Sequence, residues 1–175
     1  AVSCFISHCG LDRRPAAPGS EPVRLVSDRQ DWKRLTPDLA CHTLTPLRIG
    51  TRAYPKGLGA HANGLAVFAL NGAFTRFTAD VGIDNNADTA GRRGSVQFVV
   101  RVDGREAVRT PICRGGGEPR HLDVPIAGAR KLELEVNDGG DGYNHDQADW
   151  ADARLAGGPG GTVYLSDVVR GARTS

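Results

Sequence analysis

The sharpest constraint in this sequence is a run of six residues, Lys131-Leu132-Glu133-Leu134-Glu135-Val136, in which charged and apolar side chains alternate without a break. An extended strand puts every second side chain on one face, so the run makes a wet face and a buried face. The stretch 95–102 does the same, with Val96, Phe98, Val100 and Val102 sharing a face. Asp103-Gly104 follows at once, a pair suited to a two-residue hairpin turn, and Glu106-Ala107-Val108 returns as its partner strand. Further strands are expected at 23–26, 65–70, 74–83, 121–124 and 162–165, with Asn71-Gly72 as another hairpin turn. Helix signals are sparse. The best is 27–32, a short turn with a candidate cap. The 23 glycines and 10 prolines add to the count of turns. Many short strands with frequent turns predict an all-β chain folded as a β-sandwich.

The 175 residues suffice for one domain with a sizeable core. Residues 1–22, with Arg13, Arg14 and three prolines between Asp12 and Pro22, read as an N-terminal arm or linker. Residues 23–168 read as the sandwich, and 169–175 as a C-terminal tail. The net charge of +2 points to no polyanionic partner such as nucleic acid. No apolar run approaches the roughly 20 residues a membrane helix needs. The chain has no methionine, which suits a processed or excised piece with any signal peptide outside it. Its four cysteines, Cys4, Cys9, Cys41 and Cys113, allow disulfides in a secreted protein. Cys4 with Cys9 and Cys41 with Cys113 is one pairing. Four reduced thiols is the alternative.

Three stretches resemble the NPCBM family of carbohydrate-binding modules, also called carbohydrate-binding module family 51. The first is Tyr54-Pro55-Lys56-Gly57-Leu58-Gly59-Ala60-His61-Ala62. The second runs from Phe74 to Asp84, then Gly94-Ser95-Val96-Gln97-Phe98 and Asp103-Gly104. The third is Asp138-Gly139-Gly140-Asp141-Gly142, then Asp146-Gln147-Ala148-Asp149-Trp150-Ala151-Asp152-Ala153. Gln147 stands where the family commonly has a histidine, with His145 two residues earlier. The resemblance implies a jelly-roll β-sandwich of the galactose-binding-like type, lectin-like in its binding of galactose-containing glycans. It also implies a non-catalytic accessory module, carried in the same chain as a glycoside hydrolase domain, and a structural calcium.

A sugar offers hydroxyls at its edges and a C–H patch on one face. A site for it therefore gathers polar side chains around an aromatic platform. His61, Asp84 and Asp146 are the first candidates for hydroxyl contacts, followed by Lys56, Asn85 and Asn144. Tyr143 or Trp150 offers the platform, although Trp150, alternating with acids, sits in a setting more common for a core tryptophan. Trp32 and Tyr54 read as core or staple residues. For calcium, the acidic run supplies Asp138, Asp141, Asp149 and Asp152. The same run also fits a wet loop paired with Arg101, Arg109 or Arg154. Two competing functions remain: a glycosidase using Asp84 with Asp141, Asp146 or Asp149, and a protein-interaction or structural sandwich.

Overall fold

The computed structural model describes residues 21–174. Fourteen strands and one helix follow in order: β1 (Val23–Gln30), β2 (Thr36–Pro37), β3 (Leu47–Ile49), β4 (Arg52–Tyr54), β5 (Gly57–His61), β6 (Gly64–Leu70), β7 (Arg76–Ile83), β8 (Ser95–Val102), β9 (Arg105–Arg109), β10 (Cys113–Arg114), β11 (Arg120–Pro125), β12 (Lys131–Asn137), β13 (Gln147–Ala156), β14 (Val163–Tyr164) and α1 (Leu165–Thr174). One sheet runs β1-β6-β12-β8-β10, with β9 also on β8. The other runs β11-β7-β13-β5-β2, with β14 on β13. Every pairing between these strands is antiparallel. This is the expected jelly-roll sandwich.

The alternation in β12 becomes burial. Leu132, Leu134 and Val136 are buried and face the core, while Glu133 and Glu135 lie on the wetter face. Trp150 anchors the middle of the core at 1% exposure. The Phe98 ring meets it edge-on at 5.0 Å, and the Phe77 ring lies at 6.5 Å. Such aromatic contacts add to the free energy of burying large rings. The Asp103-Gly104 turn forms as expected. Both residues take positive φ, and the Asp103 carboxylate accepts from the backbone N–H groups of Arg130 and Lys131.

Four local expectations change. Residues 27–32 form no helical turn, because β1 continues to Gln30, paired with Gly64 of β6, past a bulge between Leu25 and Ser27. Sheet pairing outweighs the local capping signal. Asn71-Gly72 turns the chain but closes no hairpin, since β6 and β7 belong to opposite sheets. Phe74, 1% exposed, dives between the layers there. The stretch 162–165 yields a two-residue strand and then α1, which buries Leu165 and Val169. Cys41 and Cys113 are free buried thiols, so the staple between them does not form. The Cys41 thiol meets the Ala60 carbonyl at 3.1 Å, while Cys113 sits in β10 of the other sheet. Cys4 and Cys9 lie outside the described residues.

A two-stranded ribbon, β3 with β4, covers the outer face of the second sheet, where Leu47, Ile49 and Tyr54 pack on Ala151. Glycines in the sheet make room for this cover. A Cβ on Gly59 would collide with the Leu39 carbonyl, and one on Gly82 with the Ile49 side chain. Asp149 lies between those two glycines in the ladder and is sealed beneath the covering segment.

Candidate sugar-binding site

Three strands of the second sheet end together and set the position of the site. His61 at the end of β5 pairs with Gln147 at the start of β13, and Ala148 pairs with Ile83 at the end of β7. The chain leaving β7 is held by the Asp84 N–H donating to the Gln147 carbonyl at 2.8 Å. A groove of about 350 Å³ opens at this end. Its lining includes His61 and Gln147 from the strand ends, Asp88 from the loop after β7, and Tyr143 and His145 from the loop after β12. Trp32, His42 and Asn144 complete it.

A relay of side chains fixes the groove's polar wall. The Asn86 amide donates to the Asp84 carboxylate and to the Gln147 side-chain carbonyl, each at 2.7 Å. Gln147 Nε2 donates to Asp88 Oδ2 at 2.5 Å, and His145 Nδ1 lies 3.1 Å from the same oxygen. That contact with His145 holds the Asp88 carboxyl below its ordinary range. Gln147 thus does the work of orienting its neighbours, with both ends of its amide engaged.

His61 is buried, and its Nδ1 lies 2.6 Å from the Ala62 carbonyl. A carbonyl oxygen only accepts, so the proton sits on Nδ1 and Nε2 is left as an acceptor. Burial lowers the His61 pKa and keeps the ring neutral. Tyr143, 46% exposed, meets this ring edge-on with centroids 6.1 Å apart. A hydroxyl acceptor therefore stands beside an exposed aromatic ring, the pairing a pyranose edge and its C–H face require.

The remaining sequence candidates are placed elsewhere. Trp150 is a core residue and offers no platform. Lys56 sits at the opposite end of β5 from His61. Its ammonium is paired with Asp38 at 3.0 Å and Asp167 at 2.7 Å, pinning α1 to the sandwich. Asn85 donates its side chain to the Gly50 carbonyl at 2.8 Å and holds the β3–β4 ribbon. Asp84 and Asp146 are fully buried, so neither reaches a ligand in the groove. Asp84 accepts from the Arg48 N–H at 3.0 Å and from Asn86. Asp146 accepts from the Ser95 N–H at 2.8 Å, and its second oxygen has no partner. Burial pushes the Asp146 pKa up to about 7, with the Asp141 and Asp138 charges adding to the rise.

The four calcium candidates are dispersed. Asp138 is tied to Asn63, Asp141 accepts from Ser95 Oγ at 2.7 Å, and Asp152 pairs with Arg154 at 2.7 Å. Asp149 is fully buried, with its carboxyl group against that of Asp84. Burial first, then the Asp84 carboxylate, raises its pKa well above the ordinary value. Among the described residues no three His, Cys, Asp or Glu side chains converge as a metal site. The burial of Asp84, Asp146 and Asp149 also withholds the carboxylates a glycosidase would use.

Sequence reasoning passed over Trp32 and His42. Trp32, expected as a core or staple residue, is 47% exposed on the groove. Its neighbours in sequence, Asp31 and Lys33, offered the one clue, a polar setting. A larger cleft of about 750 Å³ lies between β9 and β11, but no Phe, Tyr or Trp lines it.

Comparison with known proteins agrees with the fold. The model of the NPCBM/NEW2 domain family matches residues 20–156. The chain belongs to that family. Among solved structures, the CBM51 module of Clostridium perfringens GH95 in complex with methyl-galactose is similar at 30% identity and a TM-score of 0.70. The match covers 76% of this chain and 94% of that one. CBM51-2 of C. perfringens ZmpB, in complex with GlcNAc, is similar at 27% identity and a TM-score of 0.70. There the match covers 75% of this chain and 29% of that one. A curated protein of Renibacterium salmoninarum, named "Putative endo-alpha-N-acetylgalactosaminidase", is 35% identical over 110 residues. Those residues are 63% of this chain and only 7% of that protein. The NPCBM chain therefore corresponds to a small part of the curated relative it matches.

Proposed function

We propose that this NPCBM domain binds sugar without cutting it, in the groove between His61, Asp88 and Tyr143. The observation that carries the reading is the pairing of a fixed acceptor, His61 Nε2, with the exposed ring of Tyr143. The sugar's hydroxyls donate to His61 and Asp88 while its C–H face lies on Tyr143. The methyl-galactose and GlcNAc held by similar modules support galactose- or N-acetylglucosamine-ended glycans as ligands. Similar modules sit beside catalytic domains, as in the ZmpB structure that joins an M60 catalytic domain to two CBM51 domains. This supports an accessory role, lectin-like, in a secreted enzyme. One sugar buries little surface, so affinities of about micromolar to millimolar are expected, with avidity supplied by tethering. A glycan array probed with the purified chain, and with a Tyr143→Ala variant, tests the reading. Binding to such termini that is lost in the variant supports it. Silence of the wild type on all glycans overturns it in favour of a protein-interaction sandwich.

The same proposal moves the structural calcium from the dispersed set to Asp149 and Asp84. Two adjacent buried carboxyl groups are held either by a cation or by a proton shared between them. Backbone carbonyls or water would complete the oxygen shell that calcium takes. A fall in melting temperature on adding chelator, reversed by calcium, supports the ion. An unchanged melting temperature refutes it and leaves a shared proton on the pair.

A further inference from the structure

We propose that the groove is a two-ring site, with Trp32 as the platform of a second sugar position next to the one formed by Tyr143. The inference rests on the sugar-binding reading above and adds the minimum length of the ligand. Large aromatic side chains are highly buried on average, and an indole half in water gives up part of that stabilisation. Trp32 is 47% exposed, yet the residues before it are held by hydrogen bonds. The Asp31 N–H donates to the Asn63 carbonyl at 2.9 Å, and the Asn63 amide donates back to Asp31 at 3.2 Å. The Gln30 side chain accepts from the His61 N–H at 2.8 Å. The segment carrying Trp32 is thereby tied to the same β5–β6 corner that carries His61. A preorganised aromatic ring is what a weak sugar site needs, since little binding free energy is left to order it.

Each platform has its own polar company. Tyr143 has His61 and Asn144 beside it on the groove lining. Trp32 has the Lys33 ammonium 5.1 Å from its ring centroid, and shares the lining with His42, whose buried Nδ1 has no partner. The groove volume of about 350 Å³ falls in the roughly 300–1,000 Å³ range of pockets that take drug-sized ligands, larger than one pyranose. The ligand class is therefore a glycan end of at least two sugar units, the outer ring on Tyr143 and the next on Trp32.

Calorimetric titration with two matched pairs of sugars tests this: methyl-galactose against N-acetyllactosamine, and GlcNAc against its β-1,4 dimer. In at least one pair the two-ring sugar should bind tenfold or more tightly, and Trp32→Ala should erase that gain, lowering the two-ring affinity far more than the one-ring affinity. Trp32 and Trp150 are the only tryptophans. Acrylamide quenching in the wild type should accordingly fall with the two-ring sugar and not with the one-ring sugar. Equal affinities within both pairs, or a gain that survives Trp32→Ala, overturn the second position. Failure of all four sugars to bind overturns the sugar-binding reading itself, and this inference with it.

Discussion

Replacing Asp146 by Asn should stabilise the protein at high pH and do so progressively less as pH falls. Asp146 is fully buried, one of its oxygens has no partner, and its pKa rises from 3.8 to about 7. The folded state therefore holds a proton that the unfolded chain gives up at lower pH. The favourable contribution is complete below about pH 4, declines as pH rises, and is gone once pH has passed through about 7. At about 1.4 kcal/mol per tenfold difference in proton affinity, the ionised group costs at most about 4 kcal/mol. The Asn variant carries no such penalty. Its stability relative to wild type, from urea unfolding, should climb between pH 4 and pH 7 by about 2–4 kcal/mol and stay level above that. A difference that stays constant across the range, or shrinks with rising pH, refutes the account of Asp146 as a buried, protonated acid.

Other perturbations follow from the same structure. Tyr143→Ala should weaken sugar binding at least tenfold in calorimetry and leave the melting temperature unchanged, because the ring is half exposed. Gly59→Ala should destabilise by several kcal/mol in urea unfolding, since a methyl group there meets the Leu39 carbonyl and the rigid segment over Asp149. Lys56→Ala should cost up to about 1 kcal/mol through loss of the Asp38 and Asp167 pairs, with sugar affinity untouched. Sugar binding should persist through pH 6.5 and fall only at lower pH. His61 has a lowered pKa, and protonation of Nε2 would turn its acceptor into a donor.

The parts of the fold legible in the sequence were those written in local pattern. Alternation in β12 and β8 and the Asp103-Gly104 turn need only their own residues, and the structure carries them out. The helix α1 was not legible, because Leu165 and Val169 gain their buried neighbours only when the chain returns to the sandwich. The site was half legible for a similar reason. His61, Tyr143 and Asn144 meet on one groove, and their polar and aromatic character marked them in advance. Asp84 and Asp149 look like surface ligands in sequence, but Gly59 and Gly82 on neighbouring strands let a distant segment close over Asp149. Trp32 misled in the opposite direction, since its exposure depends on where β1 ends against the β5–β6 corner.

The most direct test of the central claim is an amide and side-chain NMR titration of the labelled domain with methyl-galactose and with GlcNAc. The account predicts that one of them shifts the resonances of His61, Tyr143, Asn144 and Gln147 together, while those of Lys56 and Asp167 stay fixed. Saturable shifts centred on the β9–β11 cleft, or none with either sugar, would contradict it.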